Sequence, residues 1–153
     1  MLGSMKDNLS DAPDKAKESY QSKQSAEPLD IHDLLDIKVL EATATRVVMS
    51  LPVCKKVLQP YGILHGGVSV LLAESAASYG SALAAGPDRY VMGIEINASH
   101  LRSVRDGNLI ATATPLRVGR TIQVWDVELT NDQGTRVCQV RCTTAVRETS
   151  PTH

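Results

Sequence analysis

Phenylalanine is absent from the 153 residues, tryptophan occurs once, and aromatic residues make up only 3%. That scarcity argues against rows of stacking side chains, the platforms on which proteins hold single-stranded nucleic acid. The core must be built from Val, Ile, Leu and Ala instead. An excess of one charge is missing too: 16 Lys and Arg face 17 Asp and Glu, for a net charge of −1. No global field recruits nucleic acid or an anionic membrane, so an anionic ligand has to be held by a local group of basic residues. Cysteine is sparse and odd in number, at Cys54, Cys138 and Cys142. That is no disulfide framework. Cys138 and Cys142 share a strand-like run, where four positions span ~13 Å, too far to bridge. Reduced thiols and a cytoplasmic location are therefore expected, and no signal peptide opens the chain. No His/Cys ligand spacing suggests zinc, and no Gly-rich phosphate loop suggests nucleotide hydrolysis.

A length of 153 residues suits one domain with a real core. Residues 1–27 are polar, mixed in charge and without apolar periodicity, and read as a flexible tail. Residues 28–148 read as the domain and 149–153 as a short C-terminal tail. Leu29–Leu35 has the pattern of a short amphipathic helix. Ile37–Leu40 and Thr45–Val53 read as strands rich in β-branched residues. Cys54–Tyr61 is a loop carrying Pro60. The run from Gly66 to about Ala85 reads as a helix with almost no polar face, hence a buried one. A membrane span is not expected there: four Ser, four Gly and a central Glu between Gly66 and Gly86 oppose insertion.

Four more strands follow, at Val91–Leu101, Leu109–Leu116, Thr121–Leu129 and Thr135–Val146. In the last, Cys138, Val140, Cys142, Thr144 and Val146 alternate with Gln139, Arg141, Thr143 and Ala145, as in a half-buried antiparallel strand. Asp106-Gly107, Gly119-Arg120 and Asn131–Gly134 supply turns. The order ββ, buried helix, ββββ predicts an α+β architecture, a curved antiparallel sheet wrapped around one central helix.

Glu74 is the only charged residue between Gly66 and Gly86. A carboxylate in an apolar helix is costly unless paired or protonated. It either bridges groups inside the core or faces a cavity and does acid, base or nucleophilic work. His65-Gly66-Gly67 opens the same helix. Glycine there admits close approach of a ligand, and the free N–H groups at the positive end of the dipole stabilise a developing oxyanion. Glu74 lies ~12 Å along the axis from Gly66, too far for both to touch one carbonyl within a chain. Two chains with antiparallel helices would bring one Gly66 near the other Glu74. Taken singly, His65 reads as a structural histidine, Gln59 as a surface loop residue, and Arg102 and Arg120 as solvated charges.

Together these residues resemble a family. Gln59-Pro-Tyr-Gly-Ile-Leu-His65-Gly66-Gly67, followed after six residues by Glu74, is similar to the hotdog-fold thioesterases. The likeness is to the branch of the Arthrobacter-type 4-hydroxybenzoyl-CoA thioesterase and 1,4-dihydroxy-2-naphthoyl-CoA hydrolase. Gly93-Ile-Glu-Ile-Asn97-Ala-Ser-His100-Leu-Arg102 and Gly119-Arg-Thr-Ile-Gln-Val-Trp125-Asp-Val127 fit the same pattern, and the resemblance covers roughly residues 30 to 147. The related phenylacetyl-CoA thioesterases carry Asn and Asp where this chain has Gln59 and Glu74. Ser103 stands where relatives often have Pro.

The resemblance implies an acyl-CoA thioesterase acting on an aromatic acyl group. Glu74 would be the nucleophile or general base. Gly66 N–H would polarise the thioester carbonyl, Gln59 and His65 would orient it, and Ser78 would position Glu74. His100, Arg102, Gly119, Arg120 and Thr121 fall where the family holds coenzyme A, and Arg suits phosphate through its fork of donors. Glu95 falls at a position without a catalytic role. No metal and no cofactor are implied, because coenzyme A is part of the substrate. The implied assembly is a homo-oligomer, a dimer of dimers, with sites shared between subunits. Three rivals stay open: a hotdog dehydratase, a proofreading thioesterase acting on acyl-carrier-protein thioesters, and a non-catalytic acyl-CoA-binding module.

Overall fold

The computed structural model describes residues 30–148, and the segments read as tails, 1–27 and 149–153, lie outside the described residues. The order is α1 (Ile31–Leu34), β1 (Lys38–Ala42), β2 (Val47–Pro52), a 3-10 turn (Lys55–Val57), α2 (Gly66–Ala85), β3 (Arg89–His100), β4 (Asn108–Val118), β5 (Ile122–Thr130) and β6 (Arg136–Glu148). The strands form one antiparallel sheet in the order β1-β2-β4-β5-β6-β3. α2 packs across β2 to β6. This is the antiparallel sheet around one central helix that the sequence pattern predicts, and the hotdog arrangement that the resemblance implies.

Period-two burial explains the core. Gln123, Trp125, Val127 and Leu129 of β5 are buried, while Ile122, Val124, Asp126 and Glu128 between them are half-exposed. Leu109, Ala111 and Ala113 of β4, and Cys138, Val140, Cys142 and Thr144 of β6, continue the inward face. Each fully buried Val or Leu contributes about 1.5–3 kcal/mol relative to exposure. Pro115 is tolerated in β4 because β2 has already ended opposite Ala113, so no ladder bond is lost on that side. Bulges at Ile94 of β3 and Leu116 of β4 shift the register and add the bending that wraps the sheet.

α2 matches the sequence expectation at both ends, but it is not buried all round. Leu72, Ala73, Ala76, Ala77 and Gly80 are covered by the sheet, whereas Leu71, Glu74, Ser75, Ser78 and Ala82 are only half-buried. The reason is that the second face lines a cavity. Gly80 is required by close approach, since a Cβ there would meet the Trp125 ring at 2.5 Å. Among the described residues α2 is the one helix long and apolar enough to cross a membrane, and its apolarity is accounted for by the sheet it packs against.

Candidate active site

The start of α2 is held from three sides. His65 N donates to Val57 O, Leu64 N to Val104 O, and Gln59 N to Ile63 O in a turn closed by Gly62 at φ +73°. These bonds set Gln59 beside the first turn of α2. His65 is exposed and caps the helix, with Nδ1 accepting from Gly67 N at 2.9 Å. The Gly66 N–H has no acceptor within the helix and stays at its positive end. A Cβ on Gly66 would lie 3.0 Å from His100 Nε2, so that imidazole sits directly against the helix start.

Gln59, Gly66, His100 and Arg102 line one hollow of about 360 Å³, along with Ser69. Arg102 Nη1 donates to Arg136 O at 2.8 Å, which anchors the guanidinium to the β6 end of the sheet.

Glu74 and Ser78, one turn apart, line a separate cavity of about 500 Å³. The Glu74 carboxylate rests on β3 over Gly93, where a Cβ would overlap Oε1. Glycine in a strand often marks such a close approach, and a bulge follows at Ile94. Burial pushes the Cys142 thiol up to about 11, and the Glu74 and Glu95 charges push in the same direction. Glu95 itself is exposed and accepts from Asn97 Nδ2 at 3.0 Å.

Two cavity residues were not legible in the sequence. His32 of α1 reaches across the chain, its Nε2 2.9 Å from Ser75 Oγ, beside Glu74. A contact between positions 43 apart leaves no spacing signal. Ser75 follows Glu74 directly, and only the helix rotation shows that it faces the same cavity.

The arginines do not converge within one chain. Arg102 N bonds Val137 O at one end of β6, while Val146 N at the other end bonds Thr121 O beside Arg120. The nine residue steps between those β6 positions span ~30 Å. Arg120 and Thr121 line a third hollow of about 330 Å³, with Arg89 and Arg147. Gly119 makes the adjoining tight turn, donating to Ile122 O at 3.0 Å, and a Cβ there would press on that oxygen. Among the described residues no group of His, Cys, Asp and Glu is placed to hold a metal.

Residues 61–138 match the model of the thioesterase superfamily. The chain is 42% identical over 118 residues to a 1,4-dihydroxy-2-naphthoyl-CoA hydrolase of Listeria monocytogenes, a span covering 77% of this chain and 96% of that one. It superposes with TM-score 0.77 on a mutant thioesterase of Pseudomonas aeruginosa, 37% identical, covering 88% of this chain and 94% of that one. A protein of Staphylococcus aureus, solved with a glutamate-to-alanine substitution, gives TM-score 0.76 at 35% identity, over 78% of this chain and 100% of that one. With its wrapped sheet, central helix and matched segment, the chain belongs to the thioesterase superfamily and is a hotdog-fold thioester hydrolase.

Proposed function

We propose that the protein hydrolyses an aromatic acyl-CoA thioester to the free acid and coenzyme A, with Glu74 as the reacting carboxylate. The observation that carries this reading is Glu74 itself. An ionisable group in an otherwise apolar helix opens into a cavity lined by Leu71, Tyr79, Leu83 and Val91. Glu74 either attacks the thioester carbon or takes a proton from the water that does. The C–S bond breaks, the coenzyme A sulfur leaves and is protonated, and one water is consumed. The Gly66 N–H stabilises the oxyanion, with Gln59 and His65 orienting the carbonyl. Ser78 supports Glu74.

The relatives support these roles. The Staphylococcus aureus protein has been solved with a glutamine and with a glutamate replaced by alanine, at positions fifteen residues apart. Gln59 and Glu74 have the same separation. The name of the Listeria relative supports an aromatic acyl group.

The site is completed by a second copy of the chain. Glu74 and Gly66 lie ~12 Å apart along one helix and line different hollows. β3 is an edge strand of 12 residues, and it exposes Met92 and Ile94. An edge of that length favours pairing with another chain.

Steady release of free thiol from a panel of CoA and acyl-carrier-protein thioesters tests the reading. Aromatic CoA thioesters are expected to be hydrolysed fastest, and Glu74→Gln to lose at least ~10²-fold in turnover. A Glu74→Gln protein with near-wild-type turnover would remove Glu74 from the chemistry. Thioester binding without turnover would leave a binding module.

A further inference from the structure

From Ala73 to Ala85, α2 is mostly Ala, Ser and Gly. Away from Gly80, which alone fits beneath Trp125, turning or sliding such a helix exchanges one small group for another, so hydrophobic burial defines its rotation poorly. The aim of Glu74 needs a further constraint.

One exists in the core. Among the described residues, Ser81, Gln123 and Thr144 are three of the five buried polar ones, and they meet at one point. Ser81 Oγ donates to Gln123 Oε1 at 2.7 Å. That uses the only Ser81 hydroxyl proton, so Thr144 Oγ1 donates to Ser81 Oγ at 2.5 Å. Gln123 Nε2 donates back to Ser81 O at 3.3 Å, and Trp125 Nε1 donates to Gln123 Oε1 at 3.2 Å. Among the described residues no buried side-chain polar atom lacks a partner. A satisfied buried network of this kind tolerates few alternative packings.

The network shares a row of the sheet with the carboxylate. Gln123 of β5 pairs with Thr144 of β6, and Thr144 pairs with Gly93 of β3. Ser81 binds the first two members of the row, and Glu74 rests on the third. Glu74 and Ser81 are seven residues apart, about two turns, and so share a helix face.

We infer that Ser81, Gln123 and Thr144 are positioning residues that fix the rotation and height of α2 and thereby hold Glu74 over Gly93. The inference rests on the reading of Glu74 as the reacting carboxylate. Buried polar groups serve in this way as register devices in other helical packings.

Thr144→Val keeps the shape and removes the hydroxyl, while Thr144→Ser keeps the hydroxyl. Val127→Ala, a cavity in the same core away from the row, controls for lost stability. Thr144→Val is expected to lower kcat about 10- to 100-fold. Its KM should stay within about two-fold, and both Thr144→Ser and Val127→Ala should keep kcat within about the same margin. An unchanged kcat in Thr144→Val, or an equal loss in Val127→Ala, overturns the inference. If Thr144→Val does not fold, Ser81→Ala carries the same comparison.

A second measurement does not depend on turnover. The Gly93 amide resonance should shift as Glu74 ionises, and that pH-dependent shift should vanish in Glu74→Gln. It should also shrink in Thr144→Val and return in Thr144→Ser. A shift unchanged in Thr144→Val refutes the positioning role. A wild-type protein that hydrolyses no thioester counts against the proposed function instead.

Discussion

The carboxylate of Glu74 lies against the α-carbon of Gly93, in the space a side chain at residue 93 would occupy. Gly93→Ala should therefore displace the carboxylate and leave the fold intact, because residue 93 is exposed on an edge strand. A displacement near 1 Å at a reacting group can cost up to ~10²-fold in rate. The expected outcome is a fall in kcat of at least about 10-fold, with an unchanged circular dichroism spectrum. Full activity would mean that the carboxylate works from another position.

Gly66 and Glu74 act on one carbonyl only if they come from different chains. Gly66→Pro removes the N–H at the first helical position, where proline fits the helix. The extended backbone of His65, at φ −67° and ψ 128°, suits a following proline. Gly66→Pro and Glu74→Gln should each be inactive alone. In an exchanged equimolar mixture, half the dimers carry one intact site of two, so about one quarter of wild-type activity should return. With exchange verified by mass, an inactive mixture would refute a shared site.

Arg102 and Arg120 stand at opposite ends of the β6 ladder, with ~30 Å of strand between the residues they adjoin. If both hold one coenzyme A, they hold it from different chains. Each change to Ala should raise KM for the full CoA thioester by about 10-fold. A thioester truncated before the nucleotide should be affected far less. Kinetics of both substrates on both variants decide this, and equal losses on the two substrates would indicate a folding or interface defect.

Burial raises the Cys142 thiol from 9.0 to about 11, and burial also raises that of Cys138. The folded chain keeps protons that the unfolded chain releases. This contribution to stability is complete below the unfolded value and is lost as pH rises from about 9 to about 11. Urea midpoints should fall across that window, and Cys142→Ala should flatten the fall. At pH 8 a thiol reagent should label Cys54, the exposed thiol, and spare the two buried ones.

The elements themselves were legible in the residue pattern. Alternation in β5 and β6 predicts half-buried strands because side chains project with period two. Gly66–Ala85 is a helix at both predicted ends: His65 supplies the cap, and Gly86, at φ +91° ahead of Pro87, ends the run. The lone charge at Glu74 marks a position that either pairs inside the core or faces a cavity, because burying a carboxylate is costly, and the structure shows the cavity. Gln59, Gly66, His100 and Arg102 are scattered in sequence, yet they line one hollow.

Only the tertiary structure decided the rest, because sequence spacing carries no information about what crosses the sheet. It placed Gly93 beneath Glu74, Ser75 beside His32, and Ser81 on the row that joins Gln123 to Thr144. It also separated Arg102 from Arg120. A helix of small residues can bury itself in several rotations, so its composition states that α2 is central but not where Glu74 points. That direction comes from long-range hydrogen bonds and strand register, which exist only once the sheet has closed around the helix.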